Sequence, residues 1–168
     1  MSGEATAGSR RRRIAIIAGV AAAVVAADQV TKSLAVSHLT NHNVHVIGPI
    51  SLRLFYNSGV AFSVGTGLTV PIIIVAVVLV ITIAWLARGA PTTAAAVACG
   101  LVLGGALGNL SDRLFRGHHG AVVDFIYSRV WPTFNVADSC VVVGSILLAI
   151  SFARSGHADR PATTGDTS

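Results

Sequence analysis

Four stretches of the chain contain no Asp, Glu, Lys or Arg: Ile14 to Ala27, Leu54 to Ala87, Gly89 to Ser111 and Ser139 to Ala153. About 20 apolar residues are needed to cross a bilayer as a helix, and in hydrocarbon a helix satisfies its own backbone groups. The spacing therefore predicts four membrane spans, about 14–36, 68–87, 92–113 and 136–153, the first carrying Asp28 and Lys32 toward its end. Only 11% of the 168 residues are charged and 53% are hydrophobic. A water-soluble domain would be about 25% charged, so that class is excluded.

The net charge of +5 reads differently in this setting. Its densest part is the run Arg10 to Arg13, directly before an apolar stretch, which is a positive-inside signal rather than a nucleic-acid surface. It places the N-terminus in the cytoplasm. Four spans return the C-terminus there, beside Arg154 and Arg160, and leave Arg88 in a short cytoplasmic turn. The same basic-then-apolar order imitates a secretory signal peptide. Residues 1–13 and 154–168 lack apolar periodicity and read as disordered cytoplasmic tails around a membrane domain at 14–153. Cys99 and Cys140 fall inside spans and read as buried thiols.

Two external loops remain, about 37–67 and 114–135. In the first, ISLRLFYN alternates with the period of a strand, NVHV before it does the same, and Gly48-Pro49 supplies a turn. The expected fold is an all-α polytopic membrane protein of four transmembrane helices with a small extracytoplasmic β-hairpin or sheet. YNSGVAFSVGTG then reads as a turned, re-entrant segment in which Gly59, Gly65 and Gly67 permit motion. Its glycines do not follow a phosphate-loop spacing. The second loop holds a short apolar stretch around Asp124 that could pair as a strand, and Trp131-Pro132 reads as the turn that folds it back.

Ionisable groups in a bilayer are costly and are functional candidates by default. The topology brings Asp28, Lys32, Asn109, Asp112, Arg113, Asn135 and Asp138 to one membrane face, with Asp124 in the loop beside it. Asp28 and Lys32 stand four apart, acid first, the favoured order for an intrahelical ion pair. Asn109 and Arg113 share a face by the same spacing, and Arg113 could snorkel or neutralise a neighbouring carboxylate. Asp112 reads as structural. Asp124 and Asp138 are the last acids before the C-terminal tail; folded together, they could not both ionise easily, so one would hold a proton while the other acts as a base. Such a pair activates water for attack on an amide. There is no HExxH zinc motif, His118-His119 lacks a third ligand at suitable spacing, and a Ser33/Lys32 dyad is weak because the two point to different faces.

Five blocks, DQVTK (28–32), NSGVAFS (57–63), GGALGNLSDRL (104–114), VVDF (122–125) and FNVADS (134–139), occur in the order found in the lipoprotein signal peptidases, the type II signal peptidases of bacteria, which this chain resembles from about 14 to 153. The resemblance implies an aspartic endopeptidase of the bacterial cytoplasmic membrane. Its substrate would be a prolipoprotein, cut just before a cysteine carrying diacylglycerol. Residue by residue, it implies Asp124 and Asp138 as the catalytic pair, with Asn57, Asn109, Arg113 and Asn135 around them holding substrate. Asp28 and Lys32 match a block taken as structural. No metal or organic cofactor is implied; the partners are the lipidated substrate and membrane lipids, with no nucleic acid, and the chain is expected to act as a monomer with its site at the extracytoplasmic face.

The rival class is a small four-span transporter or channel subunit with Asp28, Asp124 and Asp138 along a proton or cation path. Such a path would distribute ionisable residues across the bilayer, and the cytoplasmic halves of the spans offer almost none. A non-catalytic scaffold would instead tolerate loss of either aspartate.

Overall fold

The computed structural model describes residues 2–59 and 69–158. Four helices, α1 (Ser2–Leu39), α2 (Thr69–Ala87), α3 (Thr93–Phe115) and α4 (Val136–Ala158), are joined at one end by a small antiparallel sheet. All four are long and apolar enough to cross a membrane. The expected re-entrant segment is described only as far as Gly59; its remainder, with Gly65 and Gly67, lies outside the described residues.

The helices outrun the expected spans. α1 continues through the arginine run to Ser2, and α4 continues past Ala153 to Ala158, where tails were expected. Ala, Glu and Arg are strong helix formers, and extending an existing helix avoids the cost of nucleation.

α3 is the central helix, 56% buried over its apolar window against 6% for α2 and 11% for α4. Thr92 starts it, its side chain accepting from the Ala95 amide at 3.1 Å. Small residues then let its neighbours approach. A Cβ on Gly104 would lie 2.7 Å from Val24 Cβ and 2.8 Å from the Ala21 carbonyl of α1, and one on Gly100 would lie 2.7 Å from Val20 Cβ. On the other side, a Cβ on Gly105 would collide with the Ala137 carbonyl of α4. Small residues four apart are the device by which membrane helices pack without a hydrophobic drive between them.

α1 answers with one buried stripe, Ile17, Ala21, Val24, Asp28, Lys32, Ala35 and Leu39, at steps of three or four residues. The stripe is apolar at both ends, with the ionic pair Asp28 and Lys32 between them. Cys99 is buried as expected, whereas Cys140 is only half-buried.

The expected hairpin forms from β1 (Val44–Ile47) and β2 (Ile50–Asn57), and it is half of a larger sheet. β3 (Val122–Ser128) pairs with β2, and β4 (Trp131–Phe134) pairs with β3, giving the order β1-β2-β3-β4. The reversal falls at Arg129-Val130, so Trp131 and Pro132 belong to β4 rather than to the turn. Pro132 is tolerated because β4 is an edge strand. Ala35, Leu39 and Phe125, backed by Leu52 and Leu54, fasten the sheet to the end of α1.

Candidate active site

Asn135 precedes the first residue of α4, and its side chain caps the helix. The Asp138 amide donates to Asn135 Oδ1 at 2.9 Å, while the Asn135 amide donates to Asp138 Oδ2 at 3.1 Å. This reciprocal pair satisfies two otherwise orphaned donors. The cap fixes Asp138 at the helix mouth and leaves Asn135 Nδ2 free to point into the protein. There it donates to Asp124 Oδ1 at 2.7 Å, with Asn109 Oδ1 at 3.1 Å and the Val123 carbonyl at 3.3 Å beside it. One fully buried asparagine thus touches both aspartates.

The sheet supplies the other carboxylate. Asn57 is opposite Val122 in the β2–β3 ladder, so Asp124 lies diagonally across on the same face. Asn57 Nδ2 donates to Asp124 Oδ2 at 3.0 Å. Its orientation is fixed by the Gly59 amide, which donates to Asn57 Oδ1 at 2.8 Å. Gly59 has φ +76°, a conformation open to glycine.

Asp124 is 1% exposed. Burial drives its carboxyl up to about 6; the neighbouring Asp138 charge adds to the rise, while the donors Asn57 and Asn135 and the Lys32 charge oppose it. Asp138 is half-buried and opens onto a groove of about 430 Å³ between α2, α3 and α4, together with Asn109 and Arg113. The rest of the groove is apolar, with walls that include Ile72, Leu79 and Val141.

Behind the pair lies an ionic layer. Lys32 Nζ is 2.8 Å from Asp28 Oδ2 and 3.0 Å from Asp112 Oδ2, and all three side chains are completely buried. The lysine also donates to Asn109 Oδ1 at 3.0 Å, and Asn109 Nδ2 donates to Asp138 Oδ1 at 2.8 Å. Asp28 accepts from the Ala137 amide of α4 at 3.0 Å, and Asp112 from the Val123 amide of β3 at 3.0 Å. The two acids therefore clamp the elements that carry Asp138 and Asp124.

The structure brings together all the residues singled out from the sequence, with one change of partner. Arg113 ion-pairs with no carboxylate among the described residues; it donates to the Gly120 carbonyl at 2.9 Å. Two contributors were missed. Gln29 donates to Asp112 Oδ1 at 2.9 Å and accepts from Arg116, which itself reaches Asp112 at 2.9 Å. The four-residue step from Asp112 to Arg116 was the available signal. His118 packs its ring against Tyr56, centroids 4.3 Å apart. No three His, Cys, Asp or Glu side chains among the described residues are grouped to hold a metal.

The sequence model of signal peptidase (SPase) II matches residues 20–154. The chain belongs to the signal peptidase II family. Its relatives include the lipoprotein signal peptidase of Mycobacterium leprae, 44% identical over 83% of this chain and 72% of that one. That of Rhodococcus jostii is 48% identical over 84% and 72%. Among solved structures, a bacterial membrane enzyme obtained by the in meso method superposes with a TM-score of 0.74 at 27% identity, over 88% of this chain and 93% of that one. A second such structure gives 0.72 at 29% identity, over 81% and 91%. Membership of the signal peptidase II family makes the chain a multi-pass bacterial membrane protein of a peptidase family, and the Asn135-linked carboxylates lie inside the matched region.

Proposed function

We propose that the chain removes signal peptides from prolipoproteins as an aspartic endopeptidase, cutting before a diacylglyceryl-modified cysteine with Asp124 and Asp138 as the catalytic pair. The observation that carries this reading is the single side chain of Asn135 holding one carboxylate and capping the other. The names of the relatives support the substrate class.

In the reactive form the pair holds one proton, on Asp124, whose buried carboxyl titrates near 6. Asp138 takes a proton from water as the oxygen attacks the scissile carbonyl, and Asp124 passes its proton to the carbonyl oxygen. Collapse of the tetrahedral diol returns a proton to Asp124, breaks the C–N bond and moves the Asp138 proton to the leaving amine. Both carboxyls end as they began. The apolar groove beside Asp138 accommodates the greasy part of the substrate, and Arg113 and Asn109 at its rim meet the polar backbone near the bond.

The positive-inside signal puts Arg10 to Arg13 in the cytoplasm and the pair at the extracytoplasmic face. A lipid-anchored cysteine is held at that depth. One chain supplies both carboxylates, so a monomer suffices. Collection of the ionisable side chains at one end of the helices weighs against a path across the bilayer.

The test is cleavage of a diacylglyceryl-modified prolipoprotein by purified protein in detergent, with Asp124→Asn and Asp138→Asn checked for folding. Folded, inactive variants beside a wild type that cuts before the modified cysteine are expected. An inert wild type, or a variant with near-normal activity, sinks the reading.

A further inference from the structure

At the pole away from the sheet, the arginine run is tied to the α2–α3 turn through Arg13. Arg13 Nη1 donates to the Pro91 carbonyl at 3.3 Å, tying α1 to the turn. Beside this tie is a recess of about 570 Å³ lined by Arg10 from α1, by Trp85 and Leu86 from the end of α2, and by Arg88 and Gly89 from the turn that follows. Two arginines from distant parts of the chain thus line one cavity. Among the described residues neither Arg10 nor Arg88 forms an ion pair with a carboxylate.

The apolar half of the recess is open. Trp85 is 65% exposed and Leu86 60%, at the end of a helix that is otherwise nearly all apolar. About 33 Å of helix, at ~1.5 Å per residue, separates Arg10 from Lys32 in the ionic layer, close to the ~30 Å thickness of a hydrocarbon core. The recess therefore sits at the headgroup level of the opposite leaflet, where tryptophan and arginine both favour the interface.

We infer that Arg10, Arg88 and Trp85 form a binding site for the phosphate-bearing headgroup of an anionic phospholipid. The guanidinium forks take the phosphate oxygens, and Trp85 and Leu86 border the first methylenes of the acyl chains. A free phosphate would satisfy only the arginines and leave the apolar wall bare, which is why the occupant is a lipid.

The purified full chain in detergent is titrated with phosphatidylglycerol or phosphatidylcholine of matched acyl chains, and bound lipid is counted by native mass spectrometry. Two guanidiniums at the surface predict about a thirty-fold preference for phosphatidylglycerol. Arg10→Ala with Arg88→Ala should reduce the preference to within a few-fold of unity while leaving the unfolding temperature unchanged. Equal retention of both lipids by wild type, or an undiminished preference in the double variant, overturns the site. Displacement of phosphatidylglycerol by millimolar inorganic phosphate overturns its assignment to a lipid. Should the double variant misfold, Trp131→Phe leaves Trp85 as the sole tryptophan. Brominated phosphatidylglycerol must then quench its fluorescence more than brominated phosphatidylcholine at equal mole fraction, and equal quenching rejects the proposal.

Discussion

Asn135 and Asp138 cap one another across the first turn of α4, with hydrogen bonds of 2.9 and 3.1 Å running in opposite directions. A carboxylate proposed to act on water is thereby also part of the device that starts its helix. Asn135 extends the arrangement to Asp124, so one side chain sets the placement of both acids.

Asn135→Ala should cost both cap and bridge. Loss of an N-cap removes about 1 kcal/mol, and a buried hydrogen bond left unmade costs about 1–3 kcal/mol more. A lowered unfolding temperature in detergent and a fall in prolipoprotein cleavage should appear together. Full activity in a folded variant would show that the bridge is dispensable.

The raised carboxyl of Asp124 has a pH signature. Its value of about 6 lies above the unfolded value of 3.8, so its contribution to stability is complete below the unfolded value and is lost as pH climbs through 6. Stability attributable to this residue should decline from about pH 4 to about 6, and Asp124→Asn should flatten that slope. On the proposed function, cleavage depends on the same proton: kcat/KM should fall tenfold per unit above about pH 6, as expected for a group required in its acid form. Activity that keeps rising beyond neutral pH contradicts the assignment.

Lys32→Met strands two buried acids. Removing one partner from a buried ion pair costs about 3–5 kcal/mol, and here Asp28 and Asp112 both lose their lysine while Asn109 loses its donor. Chemical unfolding in detergent should detect the loss. A variant as stable as wild type would mean that the acids are neutral without it.

Helix approach is tested at Gly104. A methyl group there meets the backbone of Ala21 at 2.8 Å, whereas Gly19 on α1 has nothing within 4 Å of the same position. Gly104→Ala should destabilise by about 1–3 kcal/mol through overpacking, and Gly19→Ala should be neutral. Equal behaviour of the two in thermal unfolding would place the tight contact elsewhere.

The spans were legible because the bilayer imposes a length and forbids charge, and the charge-free runs ending at Ala87 and at Ser111 each hold enough apolar residues to cross it. The Asp28–Lys32 pair was legible because both partners share a helix. Long-range partners were not: Lys32 meets Asp112 and Asn109 only once α1 lies against the glycines of α3. The sheet was half legible. NVHV and ISLRLFYN announce a hairpin, but the pairing of β2 with β3 joins two loops far apart in sequence, and an edge proline disguised β4 as a turn. The helical ends at Ser2 and Ala158 were missed because polar composition masks helix-forming residues next to an established helix.

α2 is the least embedded of the four helices, yet it supplies one wall of the groove beside Asp138. On the proposed function, that wall is the lipid side of the groove, and a peptide already anchored in the membrane meets it sideways. On the proposed function, the substrate concentration that governs turnover is an amount per membrane area. Adding inert lipid should slow the reaction by surface dilution, whereas adding buffer to the same vesicles should leave it unchanged.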